Sequence, residues 1–141
     1  MRDFALPTLD FDHSPLTFAT TAEGAIVTGC RPDATDIDVP ALHAGLPVVR
    51  IGSEAFLNHM SLLRITLPDT VRTIGDAAFM GCHALMRVRA GSGLEVVQPY
   101  AFYECVSLRH VDFPSRPVSS PTTFAACYQL GAANEPLPLH D

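Results

Sequence analysis

An Ala-Phe pair recurs along this chain with a period of 23 residues. It stands at Ala55-Phe56, Ala78-Phe79 and Ala101-Phe102, and a weaker copy, Thr123-Phe124, follows 22 residues later. A unit this short cannot bury an apolar face by itself, so equivalent residues of successive units must cover one another. The period therefore predicts a solenoid of stacked coils.

Other positions keep the same period relative to each Phe. Three residues after the Phe stand His59, Cys82, Cys105 and Cys127. Six residues after it stand Leu62, Leu85, Leu108 and Leu130. Five residues before it stand Ile51, Ile74 and Val97. Because these types recur in order, we expect each column to run along the interior of the solenoid.

Each unit also contains a short strand signal. Residues 62–67 read Leu-Leu-Arg-Ile-Thr-Leu, in which Ile65 and Leu67 alternate with Arg64 and Thr66. Such alternation is typical of a strand with one buried face. Pro68-Asp69-Thr70 then predicts a turn. We expect a mainly β fold with short helical or 3-10 turns, in which short parallel strands stack in coils of about 23 residues at a spacing of about 4.8 Å.

The combined pattern resembles the BspA-type leucine-rich repeat. It reads Leu-x-x-Ile-x-Leu-Pro, Val-x-x-Ile-Gly and Ala-Phe-x-x-Cys-x-x-Leu, most cleanly from Leu62 to Leu85. The resemblance covers roughly residues 16–136 and implies a leucine-rich repeat solenoid. It also implies a non-enzymatic binding or surface-attachment module of bacterial type. Two departures are Ala90-Gly91 in place of Leu-Pro and His59 in place of Cys.

The repeat register divides the chain. We predict a loosely held N-terminal tail, 1–13, and a single solenoid, 14–136. The solenoid would consist of a hairpin cap (14–47), repeats 48–70, 71–93 and 94–116, and a degenerate C-terminal capping repeat (117–136), followed by a tail, 137–141. Within the cap, Leu16 to Cys30 reads as a hairpin with its turn at Ala22-Glu23-Gly24. Within the capping repeat, Glu135-Pro136 replaces Leu-Pro, which discourages a further strand.

The amino-acid composition excludes several classes of partner and of chemistry. The 15 acidic residues outnumber the 9 basic ones and give a formal net charge of -6, so we expect no nucleic-acid partner. All basic residues are arginine, which excludes chemistry that needs a lysine. No apolar run approaches the roughly 18 to 20 residues of a membrane span, so we expect no membrane insertion.

The N terminus does not resemble a secretory signal, which favours a cytoplasmic location for the chain as written. The family resemblance favours the cell surface or secretion if the chain has been trimmed.

The sulfur and imidazole column invites a zinc hypothesis. His59, Cys82, Cys105 and Cys127 carry side chains that ligate zinc. Stacked coils would place the first and fourth about 14 Å apart, whereas tetrahedral zinc ligands lie within about 4 Å of one another. We therefore predict no metal and no cofactor, and free thiols in the core. Cys30 lies outside the register, and a reactive or disulfide role for it stays open.

Signatures of catalysis are weak. Ser92 lacks the strand, turn and helix of a nucleophile elbow. The sequence has neither paired carboxylates nor a Gly-rich phosphate loop that would indicate an active site. We predict that the chain is not an enzyme.

The outward strand positions predict an exposed face of two columns. The first column is Asp36, Arg64, Arg87 and His110, and the second is Asp38, Thr66, Arg89 and Asp112. One interpretation is a lattice of exposed ion pairs, Asp36 with Arg64 and Arg89 with Asp112, which contributes little to stability. The other is a recognition surface for acidic groups, because three arginines cluster there.

We therefore expect a non-catalytic, monomeric protein-interaction module that binds a protein partner through its repeat face. Two alternatives stay open. The chain could be a structural or attachment unit of a bacterial surface protein, or it could be a carbohydrate- or anion-binding module.

Overall fold

Each repeat contributes two short strands, because two segments with inward apolar residues are separated by turns. In the computed structural model, which describes residues 14–130, these strands stack into a β-solenoid of about four turns. The strands are β1 (Leu16–Thr21), β2 (Gly24–Cys30), β3 (Asp36–Asp38), β4 (Leu42–His43), β5 (Leu46–Ile51), β6 (Arg64–Thr66), β7 (Thr73–Ile74), β8 (Arg87–Arg89), β9 (Val96–Val97) and β10 (His110–Asp112). The predicted solenoid of stacked parallel strands is confirmed. The two tails and the end of the capping repeat, in 1–13 and 131–141, lie outside the described residues.

One sheet carries the strands whose outward residues form the candidate face. Its order is β10-β8-β6-β3, and all its pairs are parallel. The central residues Ile37, Ile65, Val88 and Val111 lie in register. Ile65 and Val88 are buried, whereas Val111 at the C-terminal edge is half-buried. The alternation seen in the sequence therefore turns one side of this sheet inward and leaves the other exposed.

The second sheet begins with the predicted hairpin. Strands β1 and β2 pair antiparallel, and β2, β5, β7 and β9 follow in parallel order, with β4 antiparallel to β5. The hairpin turn needs a glycine at Gly24, because its φ is 148° and a Cβ there would collide with the carbonyl oxygen of Pro47. The hairpin thus covers the first edge of the parallel array.

Phenylalanine rings stack through the centre of the solenoid. The ring centroids of Phe56 and Phe79 lie 4.8 Å apart, those of Phe79 and Phe102 5.0 Å, and those of Phe102 and Phe124 5.3 Å. The ring planes are inclined by 14° or less, and all four side chains are buried. The ring spacing matches the strand spacing, so one repeated residue type fills the core without a gap.

The segments around each Phe contain no helix among the described residues, although short helical or 3-10 turns were expected there. Their backbone amides bond between coils instead. Phe56 N–H donates to Ala78 O at 2.7 Å, and Asn58 N–H donates to Met80 O at 2.8 Å. A positive φ at Glu54 (60°) and at Asn58 (56°) turns these amides toward the next coil. The described residues also hold no helix of sufficient length and apolar character to cross a bilayer.

Candidate binding face

Strand register brings the predicted face together. Asp36 pairs with Arg64, Arg64 with Arg87, and Arg87 with His110. In the second column the order is Asp38, Thr66, Arg89 and Asp112. All eight residues are exposed. The structure therefore places every residue of the two columns on one solvent-facing surface, which we call the strand face.

The charges on the strand face are only partly paired. Arg64 Nε lies 3.2 Å from Asp36 Oδ1, and Arg89 Nε lies 3.6 Å from Asp112 Oδ2. These side chains are more than half exposed, so each pair contributes about 0 to 1 kcal/mol. Arg87 has no ion-pair partner within residues 14–130 and stands between Arg64 and His110. The lattice interpretation thus accounts for two arginines and leaves the central one uncompensated.

A third column borders the strand face and was missed in the sequence. It consists of Leu63, Met86 and Arg109, each directly before a strand. Met86 N–H donates to Leu63 O at 2.7 Å, and Arg109 N–H donates to Met86 O at 3.1 Å. These three positions follow the same 23-residue period, so the period could have identified them as a column in the sequence. Strand alternation does not reveal where a residue just outside the strand points.

Two hollows lie on this side of the molecule. The first has a volume of about 380 Å³ and crosses β6, β8 and β10. The second has a volume of about 320 Å³ and is lined by Leu63, Arg64, Met86, Arg87, Arg109 and His110. The two hollows share Arg64, Arg87 and His110 and therefore lie side by side. The smaller one follows the third column, and we call it the groove.

A larger hollow, about 810 Å³, lies over the second sheet. Among its charged residues Arg72 Nη1 lies 3.1 Å from Glu95 Oε2, and Arg50 Nη2 donates to the uncharged amide oxygen Oε1 of Gln98 at 3.4 Å. Thr70 Oγ1 is buried there and has no hydrogen-bond partner in the described part of the chain. The size of this hollow favours it as a binding site, whereas the cluster of Arg64, Arg87 and Arg89 favours the strand face.

The cysteine column is tied to the backbone of neighbouring coils. The thiols of Cys82, Cys105 and Cys127 donate to the carbonyl oxygens of Phe56, Phe79 and Phe102 at 3.0, 3.1 and 3.0 Å. Burial raises the pKa of Cys82 from 9.0 to about 12, and it also raises the pKa of Cys105. At neutral pH the thiols of Cys82 and Cys105 therefore stay protonated, which disfavours both metal binding and nucleophilic chemistry at these two residues. The hydrogen bond with Cys105 lowers the pKa of Cys127. Within residues 14–130 no three His, Cys, Asp or Glu side chains are grouped so that they could hold a metal ion.

His59 replaces a cysteine in this column and makes two hydrogen bonds. Its Nε2 donates to Arg31 O at 2.7 Å, and its Nδ1 accepts from Leu62 N–H at 3.2 Å. This arrangement requires the neutral tautomer with the proton on Nε2. The imidazole thus spans the junction between the hairpin and the first regular coil. In the next coil the equivalent amide, Leu85 N–H, donates to the backbone carbonyl oxygen of Cys82 instead.

Cys30, which had no place in the register, ends β2. It is a free, half-buried thiol that packs against the core. Burial raises its pKa to about 11, with Arg31 acting in the opposite direction. The environment therefore disfavours a reactive thiolate at neutral pH.

Comparisons with known proteins agree with this architecture. A family model described as the BspA type leucine-rich repeat region matches residues 49–138 in six copies. No curated protein matches the chain at a significant level. A leucine-rich repeat protein of T. pallidum is 34% identical with a TM-score of 0.78, and the match covers 82% of this chain and 56% of that one.

Two further solved structures are similar. A leucine-rich cell surface protein of Faecalibacterium prausnitzii is 29% identical with a TM-score of 0.70, and the match covers 82% of this chain and 34% of that one. A leucine-rich repeat protein of Bacteroides capillosus is 26% identical with a TM-score of 0.63, and the match covers 80% and 82%. The chain thus spans about half of the first relative and a third of the second. The repeated residues, the stacked coils and the family match together show that this chain belongs to the BspA-type leucine-rich repeat family.

Proposed function

We propose that this chain is a non-catalytic protein-interaction module that binds an acidic surface of a protein partner through the strand face. The observation that carries the proposal is the cluster of Arg64, Arg87 and Arg89 in a chain of net charge -6. Like charges on neighbouring strands are unfavourable, and Arg87 has no compensating carboxylate within residues 14–130. A partner that supplies carboxylates would relieve this repulsion.

Two features of the scaffold support the proposal. The backbone under the strand face is held in register by parallel pairing of four strands, so its side chains are presented by a rigid surface. The repeat family is generally non-enzymatic. A rigid, exposed and charged surface with no need for catalysis suits recognition.

A second candidate function is structural: the chain would be a spacer or attachment unit of a bacterial surface protein. The specific observation in its favour is the F. prausnitzii cell surface protein, of which the match covers only 34%. Such a unit would act as a spacer whose function depends on the length of the repeat array. Reversal of the charges on the strand face would then leave its function unchanged.

The test is charge reversal with a matched control. In one variant, Arg64→Glu/Arg87→Glu/Arg89→Glu, the strand face loses two ion pairs and three cations. In the control, Arg31→Glu/Arg72→Glu/Arg116→Glu, two exposed ion pairs and three cations are lost elsewhere. Both variants have the same net charge, and circular dichroism establishes that both are folded. Binding is measured by pull-down from the native cell, followed by quantitative mass spectrometry.

The proposal expects that partners captured by the parent and by the control are lost from the strand-face variant. A folded strand-face variant that still captures every partner would dispose of this function. That outcome would favour the structural candidate.

A further inference from the structure

The third column gives the groove beside the strand face a mixed character. Leu63 is 38% exposed and Met86 is 41% exposed, and both line the smaller hollow. Their backbones are joined by the bond from Met86 N–H to Leu63 O, so the two side chains start from adjacent coils. In the next coil the same position holds Arg109. The column therefore changes from apolar to cationic along the array.

Cations surround the far end of this groove. Arg87 and Arg109 both line it, and neither has an ion-pair partner among residues 14–130. Two of the three strand-face carboxylates, Asp36 and Asp112, are engaged by Arg64 and Arg89. The groove thus offers two guanidinium groups without a carboxylate, next to an exposed apolar pair.

From this juxtaposition we infer that the groove binds an extended acidic segment of the partner, with an apolar side chain over Leu63 and Met86 and a carboxylate at Arg87 and Arg109. The inference rests on the proposed function and specifies its partner. An apolar residue on the pair removes exposed hydrocarbon from water, and a carboxylate between two guanidinium groups forms charge-assisted hydrogen bonds.

The spacing of the groove defines the order of residues in the segment. Coils are stacked at about 4.8 Å, so Arg109 lies roughly 7 Å along the stack from the midpoint between Leu63 and Met86. A carboxylate that also contacts Arg87 lies between about 5 and 7 Å from that midpoint. In an extended chain, residues i and i+2 are separated by about 6.6 to 6.8 Å and face the same side. A segment that crosses the coils therefore places an apolar residue and an acidic residue two positions apart in the groove.

The experiment is selection of random heptapeptides displayed on phage against the folded chain. We expect enrichment of sequences with an apolar residue two positions before or after Asp or Glu. The most enriched heptapeptide is then synthesised, and its affinity is measured by fluorescence anisotropy. Arg87→Ser/Arg109→Ser and Leu63→Ser/Met86→Ser should each weaken binding by about tenfold or more, as expected for central contacts.

Matched controls distinguish binding in this groove from nonspecific electrostatic or hydrophobic binding elsewhere on the surface. Arg31→Ser/Arg116→Ser removes two exposed arginines elsewhere, and Leu57→Ser/Met60→Ser removes two exposed apolar side chains on the turn side. Both controls should bind the heptapeptide as the parent does. Equal loss in variants and controls, or enriched sequences without an acidic residue, would overturn the inference.

Two outcomes distinguish this inference from the proposed function. If Leu63→Ser/Met86→Ser still captures the native partner that the triple arginine variant loses, the strand face binds but the apolar contact is wrong. If the chain retains no heptapeptide but binds heparin through Arg87 and Arg109, the groove takes a sulfated glycan and the acidic peptide is wrong.

Discussion

The interior columns and the strand face differ although the same coils build both. The interior repeats nearly the same residue in each coil, as in Phe56, Phe79, Phe102 and Phe124. The strand face changes from coil to coil, as in Asp36, Arg64, Arg87 and His110. Identical residues suit an interior in which every coil meets the same neighbour. Differing residues make one part of the surface unlike another, which recognition requires.

This difference predicts which substitutions change stability and which change binding. A change in an interior column disturbs contacts with the coil before and the coil after, so it acts on stability. A change on the strand face leaves the stacked rings and thiols in place, so it acts on binding. Four predictions test this separation.

The largest effect is expected in the ring column. In Phe79→Asp a carboxylate replaces a fully buried ring stacked on both sides. Burial of an unpaired charge should cost more than about 4 kcal/mol, which is a large part of the roughly 5 to 15 kcal/mol that stabilises a typical domain. Circular dichroism during urea titration measures the loss. Leu57→Asp, at a 38% exposed position beside the column, is the control and should unfold nearly as the parent does.

A smaller effect is expected where the thiol column changes to imidazole. His59→Cys restores the repeated residue but removes the imidazole bonds to Arg31 O and Leu62 N–H. The backbone carbonyl of residue 59 could accept from Leu62 N–H, as Cys82 O accepts from Leu85 N–H, but Arg31 O would lose its imidazole donor. We expect the free energy of unfolding to fall by about 2 kcal/mol. His83→Cys, at an exposed position, should change it little. A more stable His59→Cys protein would show that the repeat pattern outweighs these two bonds.

Alkaline pH should weaken the same column. The pKa of Cys82 is about 12 in the folded chain and 9.0 ordinarily. A pKa raised by folding gives stability that is complete below pH 9 and is lost as pH rises toward 12. At pH 10 the part of this loss due to Cys82 should be about 1.4 kcal/mol, since pH 10 is one unit above the ordinary pKa and one pKa unit corresponds to about 1.4 kcal/mol. Cys30 and Cys105 add to it, because burial raises their pKa values as well. Urea midpoints at pH 8 and pH 10 measure it, and the pH dependence should shrink in Cys82→Ala. An equal dependence in both proteins would contradict the assignment.

The smallest effect is expected on the strand face. Each substitution in Arg64→Glu/Arg87→Glu/Arg89→Glu should change the free energy of unfolding by less than about 0.5 kcal/mol, because these side chains are solvated. Thermal unfolding of this variant beside the parent provides the measurement. A large loss of stability would mean that the strand-face side chains stabilise the fold. Interior residues would then not be the only ones that determine stability, contrary to the prediction.

Most of the architecture could be predicted from residue types and their spacing. The ring, thiol and leucine columns follow from the period, and strand alternation in residues 64–66 assigns Arg64 and Thr66 to the surface. The lack of helix in the turns could not be predicted, because it depends on amides that bond to another coil, such as Phe79 N–H to Ala101 O. A short segment of mixed polar and apolar residues is compatible with a helical turn as well as with a non-helical one when it is considered without its neighbouring coils.

The candidate site divides in the same way. The period alone determined that the two outward columns would lie on one face, because each coil repeats the register of the last. The ion pairs of Arg64 with Asp36 and of Arg89 with Asp112 were also predicted from the register, as one of two interpretations, and the structure contains both. The packed structure was needed to show that Leu63, Met86 and Arg109 line a groove and that Arg87 engages no carboxylate within residues 14–130. The physical reason is that a period specifies which residues are neighbours along the stack. Hollows and unpaired charges depend on the directions of side chains, which are set only when all coils pack together.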